Sequence, residues 1–109
     1  MECSIKSERS YDLLSVSGEV DLQYSPQLRE KILASLKAGK PLLIDLGGVG
    51  YIDSSGIASL VEGFQAAKSA KLEYGLMNVS QNAMQVLTLT RLDRIFQIYG
   101  NPAEFGQRL

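Results

Sequence analysis

The run "PLLIDL", residues 41–46, constrains this chain most. It is a near-continuous apolar stretch, and that pattern suits a central strand buried on both faces. Such a strand must be covered by helices, so its neighbours should read with helical period. They do. Upstream, Leu28, Ile32, Leu33 and Leu36 fall on one helical face. Ser25-Pro26 opens that helix, with Ser as a favoured N-cap and Pro where no hydrogen bond is lost. Gly39 and Pro41 stop it. Downstream, Leu60, Val61 and Phe64 lie three, four and seven residues after Ile57, predicting a second helix from about Ser54 to about Ala70.

The other elements fill in around these. Residues 3–8 and 11–17 read as two strands joined by a polar turn, the second ending at Gly18. "GGVGYID" after the central run predicts a flexible bend. Residues 72–78 read as a strand, and Ser80 caps a third helix carrying Ala83, Val86 and Leu87. "IFQIYG" is a short last strand, with Phe96 and Tyr99 as packing residues, and "NPAEFGQRL" is a short helix or tail. The order β-β-α-β-α-β-α-β-α predicts an α/β fold with helices packed on one sheet. No repeat or linker interrupts it, so residues 1–109 read as one domain.

Composition removes several functions. The net charge is −1 and the basic residues are scattered, so no electrostatic case exists for nucleic acid or an anionic membrane. The chain has no histidine, which removes Ser-His and Cys-His nucleophile pairs and most catalytic zinc sites. The lone Cys3 cannot form an internal disulfide and reads as a small strand residue. Neither a signal peptide nor a spanning stretch is visible, so a cytoplasmic domain without membrane insertion is expected.

Enzyme motifs fail in turn. "GGVGYID" lacks the third glycine of a dinucleotide fingerprint, since Asp53 stands there. Gly39-Lys40 is followed by Pro41, which breaks a P-loop. "GYIDSSG" is not a nucleophile elbow. Asp45 ends a buried strand like a phosphoacceptor aspartate, but the first strands offer no acidic partners for magnesium. The expectation is a protein that is not an enzyme and takes no cofactor or metal.

"YIDSSGIASL", residues 51–60, is the informative stretch. Asp53, Ser54 and Ser55 stand where the second helix begins. One of their side-chain oxygens can cap unpaired backbone N–H groups, which is a stability role. The same helix end also favours negative charge, so a phosphate on Ser54 would be tolerated by the fold and felt by a docking partner. Local sequence leaves both readings open.

"DLGGVGYIDSSGIASL", residues 45–60, resembles the signature of STAS domains of the anti-sigma factor antagonist type. "SGEVDLQYSPQLRE", residues 17–30, is similar to the same family's second strand and first helix. The resemblance implies a mixed central sheet of about five strands, with about four helices packed mainly on one side. It implies that Ser54 is the phosphoacceptor, with Asp21 and Asp53 as the acidic positions beside it and Ser55 and Gly56 completing the partner-binding motif. The implied partners are an anti-sigma factor that is also a serine kinase, and a serine phosphatase that resets the switch. "GIASLVEG" is also similar to STAS proteins that accompany lipid-transporting ABC permeases. That branch implies instead a cytoplasmic subunit docked on the transporter's ATPase or permease.

Overall fold

The computed structural model describes residues 1–109. Nine main elements follow in the expected order: β1 (Glu2–Ser7), β2 (Asp12–Val20), α1 (Ser25–Lys37), β3 (Leu42–Ile52), α2 (Ser54–Ala70), β4 (Tyr74–Met77), α3 (Gln81–Leu89), β5 (Gln97–Tyr99) and α4 (Pro102–Gln107). A single 3-10 turn, Leu92–Arg94, stands between α3 and β5. The strands form one five-stranded sheet in the order β1-β2-β3-β4-β5. β1 and β2 are antiparallel, and the remaining neighbours are parallel, so the sheet is mixed as expected. No helix is long and apolar enough to cross a membrane.

β3 shows why "PLLIDL" had to be a central strand. Leu42, Ile44 and Leu46 join the main core with Leu28, Ile32 and Leu60, under α1 and α2. Leu43 points the other way and packs with Tyr99 and Phe105 in a second, smaller core. Ala83 and Leu87 of α3 also enter the main core, whereas Phe105 comes from α4. Three helices therefore cover one face of the sheet and the short last helix covers part of the other. Phe96 and Tyr99 are buried packing residues, as their spacing predicted.

Three local expectations are corrected. "GGVGYID" is no bend, because β3 runs on through Gly47, Gly48 and Gly50 to Ile52. The parallel register against β2 slips twice there, first between Ser15–Asp45 and Ser17–Gly48, then between Gly18–Val49 and Glu19–Tyr51. A Cβ on Gly48 would stand 2.7 Å from the Ser17 Cβ, so glycine answers a close approach at the bulge and not a turn. β2 likewise continues past Gly18, whose φ of +87° bends the strand without ending it. Ser25, expected as the α1 cap, is instead the buried first helical residue. The turn before it is closed by Asp21, so a serine cap is not needed there.

Candidate functional site

The candidate site lies where two chain segments leave the same end of the sheet. Val20 and Ile52 are register partners at the ends of β2 and β3, and the Asp53 N–H donates to the Val20 carbonyl at 3.2 Å. This holds the β2–α1 turn beside the start of α2. Within the turn, Asp21 Oδ1 accepts from the N–H groups of Gln23 at 3.1 Å and Tyr24 at 3.2 Å. Its carbonyl accepts from Ser25 N–H at 2.8 Å. Asp21 is thus an Asx-type turn former.

Asp53 is the N-cap of α2. Its Oδ1 accepts from Ser55 N–H at 2.9 Å, Gly56 N–H at 3.2 Å and the Ser55 hydroxyl at 2.5 Å. The hydrogen bond from the Ser55 hydroxyl, joined by backbone N–H donors from Gly56, Ser55 and Leu22, holds the Asp53 carboxyl below the usual aspartate range despite some desolvation. A carboxylate with a lowered folded-state pKa stabilises the fold above its unfolded value, and that contribution is lost as pH falls through the lowered one. The thermal midpoint of the wild type should therefore exceed that of Asp53→Asn at neutral pH and converge on it in acid. Asn keeps a good cap but cannot titrate. Parallel melting curves across the acid range would show the cap to be uncharged.

Ser54 sits at the first helical position and is exposed. None of the cap hydrogen bonds uses its hydroxyl. Ser55 is half-buried and committed to Asp53. Gly56 is buried, and a Cβ there would meet Ile52 Cγ1 at 2.7 Å, Val20 Cγ1 at 2.8 Å and the Val20 carbonyl oxygen at 3.0 Å. It lets α2 start directly against the strand ends, so its place in the site is beneath the display surface. Deeper in, the Ser59 hydroxyl donates to the carbonyls of Ser25 and Ser55 at 3.2 Å each, tying the starts of α1 and α2 together.

The five motif residues therefore gather in one place, with Ser54 outermost. Two exposed residues that motif reading missed lie close to them in the chain. Leu22 is 76% exposed in the β2–α1 turn, and Tyr51 is 51% exposed near the end of β3. No sequence pattern singled out either, because exposure is not encoded locally. Cys3 is half-buried in β1, and burial pushes its thiol up despite the nearby Lys31 and N-terminus, which suits an inert strand residue.

Residues 3–98 match the family model described as "Mlab, STAS domain". The chain belongs to the STAS domain family. It is 30% identical over 94 residues to the anti-sigma-B factor antagonist of Bacillus subtilis, covering 86% of each chain. A crystal structure of an anti-sigma factor antagonist from Mycobacterium paratuberculosis superposes with a TM-score of 0.81 at 26% identity, over 94% of this chain and 88% of that one. The Bacillus cell fate determinant SpoIIAA shares the fold at 18% identity. Its unphosphorylated form gives a TM-score of 0.81 over 98% of this chain and 95% of that one. Its phosphorylated form gives 0.75 over 98% of each. The STAS fold read from the motifs is the fold observed.

Proposed function

We propose that this STAS domain is an anti-sigma factor antagonist working as a phosphorylation-controlled partner switch at Ser54. Unphosphorylated, it binds an anti-sigma factor that is also a serine kinase, and the sigma factor is released. Phosphate on Ser54 ends the binding, and a separate serine phosphatase restores it. One observation carries this reading. The capping work at the head of α2 is done by Asp53 and Ser55, and Ser54 is left exposed outside that network. A serine needed only as a cap would be engaged there.

The surroundings suit a switch. The head of α2 carries the positive end of the helix dipole, so phosphate is accommodated without melting the helix. Asp53 stays ionised beside it, so phosphorylation stacks negative charge on a surface already carrying a carboxylate. Leu22 and Tyr51 supply apolar contacts for a partner that must come within reach of Ser54. The kinship with antagonists of anti-sigma-B factors supports the same partner class.

The test is intact-protein mass measurement after incubation with ATP and lysate of the source cell, for wild type and Ser54→Ala. One added phosphate on the wild type and none on the variant is the expected result. No phosphate on either would sink the switch. The family model's own description, "Mlab, STAS domain", and the run "GIASLVEG" would then favour a subunit docked on a lipid-transporting ABC ATPase or permease.

A further inference from the structure

The sheet has two edges, and they differ. β5 contributes only Gln97–Tyr99, so that edge is short. β1 runs for six residues and pairs with β2 in unbroken register from Glu2–Ser17 to Ser7–Asp12. Its outer side therefore presents a regular row of unpaired backbone groups. Natural proteins blunt such edges with proline, bulges, short length or charged side chains, lysine above all, and Glu2 and Lys6 are the charges β1 carries. β1 has neither proline nor bulge, and Ile5 is 39% exposed on it.

The side chains of β1 are arranged symmetrically about Ser4. Glu2 lies two residues before it and Lys6 two residues after; Cys3 and Ile5 flank it directly. In an antiparallel pair, a residue on the twofold axis faces itself, and residues equally spaced on either side face each other. With Ser4 on the axis, Glu2 of each copy faces Lys6 of the other, on the same face of the sheet. Cys3 of each copy faces Ile5 of the other on the opposite face, the one covered by α1. Both charge pairs are of opposite sign and both apolar pairs are of moderate size, which are the cross-strand combinations that stabilise a ladder. Beside Ile5, the outer side of α1 offers Gln27, Glu30, Lys31 and Ala34 around a shallow groove. In this register the residue of the second copy that arrives opposite Ile5, beside this groove, is its Cys3.

We infer that β1 is a self-complementary docking edge whose occupant is the β1 strand of a second copy, joining two sheets into one of ten strands around a twofold axis at Ser4. In that register Glu2 and Lys6, the two charges of the strand, face each other, with Lys6 already 3.5 Å from Glu8 of its own copy. The symmetry is isologous and closed, so it yields a dimer and not a fibre. Because the two β1 strands run antiparallel, the two Ser54 sites leave at opposite ends of the joined sheet. Both remain free, and the dimer is bivalent toward a partner.

Analytical ultracentrifugation over a concentration series reaching the millimolar range tests this. The wild type should dimerise, and Lys6→Glu should weaken the dimer by about tenfold or more, since two attractive pairs become two repulsive ones. The double variant Glu2→Lys/Lys6→Glu should restore it. Register is read separately by oxidative crosslinking in a Cys3→Ser background. Ser4→Cys should crosslink efficiently, because residues facing each other across the axis have Cα atoms about 4.5–5.5 Å apart, inside the span a disulfide bridges. Lys6→Cys should not, being displaced along the strand from its own copy. A monomer throughout, a dimer indifferent to the charge inversions, or equal crosslinking at positions 4 and 6 would each overturn the inference. Circular dichroism of every variant separates loss of pairing from loss of fold.

Discussion

Replacing Phe105 with alanine should cost about 3–5 kcal/mol, the loss typical of a buried phenylalanine. The size is surprising for a residue in a six-residue helix near the C-terminus, and it follows from what Phe105 covers. The ring is fully buried, and it meets Tyr11 and Tyr99 edge-to-face with centroids 5.2 Å away in each case. It is the one buried residue of α4, and a helix so short does not hold itself together in water. Without the ring, α4 has little reason to stay, and Leu43 and Tyr99 lose their cover. Urea unfolding should show a lower midpoint, whereas Leu89→Ala, at an 84% exposed position on α3, should leave it unmoved. A loss under about 1 kcal/mol for Phe105→Ala would mean that this face of the sheet is not a true second core. The residues matching the family model stop at position 98, so the experiment also asks how far the stable fold extends beyond the shared segment.

The second large effect concerns binding. Ser54→Asp should weaken association with the proposed anti-sigma kinase by about a hundredfold, because like charges brought together at an interface cost several kcal/mol. The thermal midpoint should barely change. Position 54 is exposed, uses no cap hydrogen bond and lies at a helix end that favours an acidic residue. Ser54→Ala should bind as tightly as the unphosphorylated protein and resist release by ATP. Titration calorimetry on wild type, Ser54→Ala and Ser54→Asp, beside their melting curves, reads both quantities. Equal affinity across the three would remove Ser54 from the interface. A large drop in stability for Ser54→Asp would mean that the serine belongs to the fold after all.

The mixed character of this site explains what could be read beforehand. The helix over 54–70 was legible because Ile57, Leu60, Val61 and Phe64 repeat with the α period, and all four face the core, Val61 and Phe64 partly buried against it. The Ser80 cap was legible because a capping side chain acts on N–H groups only three residues away, and its oxygen does accept from Ala83 N–H at 3.2 Å. Ser25 misled because the same local rule has a competitor. Asp21, four residues earlier, had already organised the backbone there. The glycines of 47–50 misled because a glycine that bends a loop and one that admits a neighbouring strand look alike in one dimension. Ser17 is far from Gly48 in the chain, and only the parallel pairing brings its Cβ there.

Periodicity and short-range chemistry were thus enough for the element order, the buried central strand and the acidic-serine motif at a helix start. All of these depend on side chains within a few residues of one another. The folded chain decided the division of labour inside that motif. Asp53 and Ser55 became the cap, Gly56 went under the surface, and Ser54 was left exposed outside the cap. It also decided that one sheet edge is long, regular and open while the other is three residues short. Exposure and edge position depend on what else packs nearby, and that is set by contacts between segments the chain order keeps apart.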